Sequence, residues 1–110
     1  MHLRRLFFPL AILVLAVACA ATGVVLPRPS ERDAAELGVP LDELRRGRRL
    51  YAKKCGACHM LYPPSRYSME EWEAILESMA DKIHVSREEN ELMRGYLSIF
   101  AADAPADTPE

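Results

Sequence analysis

The residues with the most chemistry in this chain stand together. Cys55-Gly56-Ala57-Cys58-His59 is a C-x-x-C-H run. Two thiols at this spacing can each add to one vinyl group of a haem, giving two thioethers. A histidine directly after the second cysteine is then held under the iron as its proximal ligand. The covalent attachment residues are therefore Cys55 and Cys58, with His59 on the iron. Other uses of a cysteine pair match less well. A thioredoxin-like redox pair needs a βαβ setting, and no segment here alternates with period two. A zinc site needs four ligands, and there is no second cysteine pair. A disulfide between Cys55 and Cys58 would close a very short loop and stabilise little.

An electron-transfer haem commonly has a second axial ligand, and His/Met ligation raises its potential. Met60 adjoins His59 and cannot reach the opposite face of the ring. Met69 opens a helix, and Met93 falls at a core position of another. Met79 lies 20 residues past His59, on one apolar face with Trp72, Ile75 and Leu76, and is the candidate sixth ligand. A methionine on such a stripe is also ordinary core filler. His84 is the rival, giving bis-histidine ligation, although a histidine there also suits a helix end. Tyr67 and an open distal position complete the options. Pro64 either presents a backbone carbonyl to the second ring nitrogen of His59 or is a plain loop proline. Trp72 either packs on the haem edge, reaching a propionate, or is a buried core indole.

Three helices must position these groups. Pro40 suits a helix start, and Leu41, Leu44, Gly47, Leu50 and Tyr51 follow helical spacing, so a first helix delivers the chain to Cys55. Pro63 and Pro64 make the stretch after the motif a loop. Ser68-Met69-Glu70-Glu71 is a capping box that opens the second helix, whose apolar face runs from Met69 to Ile83 and ends at His84. Ser86-Arg87-Glu88-Glu89 opens the third, with Leu92, Met93, Tyr96, Leu97 and Phe100 inward. The fold expected is an all-α, three-helix domain wrapped around one covalent haem.

The 110 residues leave room for one small domain. The stretch from Gly38 to Ala102 is 65 residues, a core too small to be secure without a staple, and a buried haem supplies one. The net charge of −2 excludes general nucleic-acid binding, which needs a strongly basic surface. Arg45, Arg46, Arg48, Arg49, Lys53 and Lys54 form a basic rim before the motif, and seven glutamates on the later helices answer it. Such a rim steers an acidic redox partner or is a solvated face.

Met1 to Arg5 carries two arginines, and Leu6 to Ala18 is apolar: the start of an export signal, taken as residues 1–18. Three endings are open. Leu15-Ala16-Val17-Ala18-Cys19 resembles a bacterial lipobox, with Cys19 as the lipidated residue. Cleavage after Ala20 would release a soluble periplasmic protein. The uncharged run from Leu6 to Pro27 is 22 residues, enough to span a bilayer uncleaved. All three place the domain outside the cytoplasmic membrane, and the first and last tether it there. Residues 19–40 read as a flexible tether, 41–102 as the haem domain and 103–110 as a disordered acidic tail.

From Asp42 to Ala102 the chain resembles a single-haem cytochrome c of the class I type, through Gly47 and Tyr51 before the motif and Tyr96-Leu97 in the last helix. That resemblance implies that the first and last helices cross closely at Gly47. The stretch from Cys55 to Met79, with Pro64 and Trp72, is similar to short bacterial haem c domains and supports Met79 as ligand. Some dihaem cytochromes contain a similar segment, but one C-x-x-C-H implies one haem. The function expected is an electron carrier rather than an enzyme, exchanging electrons with redox protein partners. Two alternatives stand beside it: a haem subunit of a larger membrane oxidoreductase, and a gas sensor with an open sixth site.

Overall fold

The computed structural model describes residues 24–57 and 60–105. The calls on Cys19, Cys58 and His59, on the export signal and on residues 106–110 lie outside the described residues. Within them the chain is all-α, with four helices: α1 (Glu31–Leu37), α2 (Leu41–Cys55), α3 (Met69–Met79) and α4 (Arg87–Phe100). A single 3-10 turn, Pro64–Arg66, sits between α2 and α3.

Three of these are the expected helices, and their signals work as read. Ser68 Oγ accepts from the Glu71 amide while the Glu71 carboxylate accepts from the Ser68 amide, and Ser86 and Glu89 repeat the arrangement at α4. The buried faces are Leu44, Gly47 and Tyr51 on α2, Trp72 and Leu76 on α3, and Met93, Tyr96 and Leu97 on α4. Gly47 lies where α2 meets α4. A Cβ there would stand 2.1 Å from the Leu92 carbonyl oxygen and 2.9 Å from Tyr96 Cβ, so only glycine permits the approach.

The fourth helix is a correction. Residues 19–40 read as a flexible tether, yet Glu31–Leu37 is helical. Ser30 and Asp33 form a capping box, with Asp33 in place of the usual Glu or Gln. Gly38 ends the helix in the left-handed conformation, φ 67°, donating to the Ala34 and Ala35 carbonyls. Only Ala34 is buried, so no apolar period betrays a helix this short.

The extended strap before α1 is also part of the domain. Leu26 and Pro29 are buried. The Arg48 guanidinium donates to the Leu26 carbonyl at 3.1 Å, and the Tyr96 hydroxyl donates to the Pro27 carbonyl at 2.8 Å. The packed part of the chain thus includes Leu26 and Pro29, ahead of the start expected at Leu41, and Leu26 and Pro27 of the uncharged N-terminal run are held against the helices.

Two further boundaries move. The helix expected to reach His84 stops at Met79, and turns follow in which Lys82 and Ile83 both donate to the Met79 carbonyl. Asp103, expected to open a disordered tail, is tied down instead: its Oδ1 accepts from the Met69 amide at 2.9 Å, satisfying one of the orphan donors at the start of α3, just after the Ala102 amide donates to the Tyr67 carbonyl.

Candidate functional site

The end of α2, the loop after the motif and the length of α3 enclose a cavity of about 410 Å³. Helix α2 contributes Tyr51, Lys54 and Cys55. The loop contributes Tyr62 and Tyr67, α3 gives Trp72, Ile75 and Met79, and the following turn gives Lys82 and Ile83. The walls are mainly aromatic and aliphatic. Their volume lies in the range of roughly 300–1,000 Å³ typical of small-molecule and cofactor sites.

The aromatic walls are fixed by hydrogen bonds to backbone carbonyls. Trp72, 2% exposed, donates from Nε1 to the Pro64 carbonyl at 2.8 Å. The Tyr51 hydroxyl donates to the Tyr62 carbonyl, tying α2 to the loop. The rings then brace one another edge-on, with Trp72 against Tyr67 at 5.1 Å and against Tyr51 at 5.7 Å between centroids. Tyr51 also meets Tyr96 behind the wall, at 6.3 Å. Burial, helped by Cys55 and Tyr96 nearby, holds the Tyr51 phenol far above its ordinary pKa of 10.0. Burial likewise pushes the Cys55 thiol up, so it rests neutral.

Of the residues singled out in the sequence, the structure brings Cys55, Trp72, Met79 and Tyr67 to one cavity. Pro64 is buried behind Trp72, and its carbonyl serves the indole N–H rather than facing the cavity wall. The indole N–H is correspondingly occupied, so it is not a free donor in the wall. His84 is exposed, in the left-handed region at φ 51°, and is not part of the lining. Met93 is fully buried core and Met60 is exposed.

Lys54 and Lys82 were not singled out as site residues, yet both line the cavity. Lys54 is legible as a residue one helical step before Cys55. Lys82 reaches the wall only because α3 stops at Met79 and the chain turns, which the apolar period running on to Ile83 conceals.

An apolar cavity beside the first cysteine of C-x-x-C-H, with a thioether in its wall, fits a covalent haem. Among the described residues no helix is long and apolar enough to cross a membrane, and no group of three or more His, Cys, Asp or Glu residues is placed to hold a metal ion. Comparison with curated proteins and with solved structures finds no match. The family model for dihaem cytochrome c matches residues 51–110, more than half of the chain, starting at Tyr51 in the cavity wall and taking in the attachment motif, α3 and α4. The chain belongs to the dihaem cytochrome c family.

Proposed function

We propose that this chain is an electron carrier that holds one haem c through Cys55 and Cys58, with His59 and Met79 on the iron, and works on the outer side of the cytoplasmic membrane. The observation that carries the reading is the shared cavity, in which Cys55 and Met79 stand in one apolar wall. The single C-x-x-C-H supports one haem per chain, although the family is named for two. The apolar N-terminus after Arg4 and Arg5 supports export, with lipidated Cys19 or the uncleaved run as tether.

When bound, haem supplies the one-electron Fe(III)/Fe(II) couple. The chain sets the terms of that couple. The Met79 thioether is a soft donor that favours Fe(II) and raises the potential. Tyr51, Tyr67, Trp72 and Ile75 exclude water from the iron's surroundings, which disfavours the more highly charged state. Lys54 and Lys82 are the cations of the wall and the partners there for the carboxylates that a haem carries. The hydrogen bonds from Trp72 to Pro64 and from Tyr51 to Tyr62 hold the wall still, so little has to reorganise when the charge changes.

Met79 in the wall favours a six-coordinate carrier over a sensor with an open site. The subunit reading has one observation in its favour: Met60 and Tyr62, beside the motif, are exposed apolar side chains. Absorption spectra of the oxidised and reduced protein test the ligand assignment. The wild type is expected to show the weak long-wavelength band of a thioether-ligated ferric haem. Met79→Ala should lose it and fall in potential on the order of 0.1 V, within the roughly 0.8 V that axial ligands span. An unchanged spectrum removes Met79 from the iron, and co-purification with a larger oxidoreductase in mild detergent would favour the subunit reading.

A further inference from the structure

The best-anchored feature outside the cavity is the strap over residues 24–30, held at Leu26 and Pro27 by Arg48 and Tyr96. It is where the uncharged N-terminal run meets the folded domain. Cys19 to Leu26 is seven residues, which reach at most about 25 Å when fully extended. A domain tethered through that run has its strap side close to the bilayer.

The surface there has the matching chemistry. Val24 and Val25 are 42% and 88% exposed, directly before the pinned Leu26. Arg28 is exposed within the strap. On α2, Arg45 is exposed one turn before Arg48, whose guanidinium reaches the strap, and Arg49 is exposed one turn after Arg45. None of the three arginines has an acidic partner in the ion pairs of the described residues, which use Arg32, Arg46 and Arg94. Two exposed valines and an exposed arginine in the strap, with two more exposed arginines on the helix that holds it, form the pattern that suits an anionic lipid surface, apolar groups entering the interface and guanidinium groups meeting headgroup phosphates. The Tyr51–Tyr96 ring pair stands between this strap and the cavity, so the cavity is not the face given to lipid.

We propose that the strap face, Val24, Val25, Arg28, Arg45 and Arg49, seats the domain on anionic phospholipid in a fixed orientation. The tether then holds the domain at the membrane, and this face decides which way it points. The inference rests on the tethered reading given above, and the two are separable by experiment. Full-length, haem-loaded chain with its native N-terminus is reconstituted on phosphatidylcholine vesicles with and without phosphatidylglycerol. Flotation reports tethering, and hydrogen exchange over residues 24–30 reports seating.

The expected result is flotation on both vesicles, with slower exchange in the strap only where phosphatidylglycerol is present. High salt should restore fast exchange without releasing the chain. Arg28→Ser, Arg45→Ser and Arg49→Ser should each weaken the protection roughly fivefold, the effect of one cation near an anionic surface. The haem spectrum reports that each variant is folded. Flotation with equal exchange on the two vesicles overturns the seating while leaving the tether intact. Failure to float overturns both.

Discussion

At the scale of single residues, Trp72 explains why the cavity keeps its shape. Its ring forms a wall while its N–H closes on the Pro64 carbonyl, eight residues back, across the loop that follows the haem motif. Trp72→Phe keeps much of the ring and removes the donor, leaving a buried carbonyl unpartnered. The expected cost is about 1–3 kcal/mol in urea unfolding of the haem-loaded protein. A change under about 0.5 kcal/mol would mean that water replaces the indole at Pro64. The sequence points to Cys55 and Cys58 for attachment because C-x-x-C-H is a local pattern whose spacing is itself the chemistry, and of that pair the described residues include Cys55 alone. The partner of Trp72 was not legible, since nothing in a sequence reveals which carbonyl an indole N–H will find. Lys82 was hidden for a related reason: its place depends on where a helix stops.

Among the helices, the α2–α4 contact organises the rest. Gly47 is the pivot, because a methyl group there meets the backbone of Leu92 rather than a side chain that can rotate away. Gly47→Ala is expected to destabilise by about 2 kcal/mol or more, as overpacking against backbone does. Gly95→Ala is the contrasting case. Its Cβ would meet only Leu44 Cδ2, at 3.9 Å, so the gain in helix propensity of up to about 1 kcal/mol should survive. Denaturation of the two variants side by side distinguishes a specific close approach from a general intolerance of side chains on these helices.

The same contact carries Tyr96, whose hydroxyl pins the strap. Burial pushes its phenol from 10.0 up to about 12, against the neighbouring Arg48 guanidinium. The folded state therefore favours the neutral phenol. The stability this gives is full below pH 10 and is lost as pH rises from 10 to about 12. Tyr96→Phe is expected to cost about 1 kcal/mol near neutral pH, through the lost bond to Pro27, and to lose less stability than wild type at alkaline pH. An unaltered alkaline limb would assign that loss to Tyr51 or to another group. The capping boxes and apolar stripes made α2, α3 and α4 readable in advance. Helix α1 was not readable, because it is defined by its caps and buries only Ala34, with no apolar face of its own.

For the whole molecule, the haem and the small core are one problem. Tyr51, Trp72, Leu76, Met93, Tyr96 and Leu97 form a continuous buried cluster, and the cavity opens in its flank between Tyr51 and Met79. A chain of this size buries too little of itself to leave such a cavity empty without cost, and on the function proposed above a covalent haem would fill it. The charged surface is divided among separate tasks. Arg46 pairs with Glu88 and Arg94 with Glu73, joining helices, while Arg48 holds the strap and Lys54 stands at the cavity. Three of the six cations in the basic rim, Arg46, Arg48 and Lys54, thus have local contacts within the domain. The most direct test of the account is the mass of the denatured protein after maturation in a bacterial host competent in haem c attachment. The chain should carry the mass of one haem, retained through denaturation and absent when Cys55 and Cys58 are both replaced by alanine. An unmodified mass, or the mass of two haems, would contradict it.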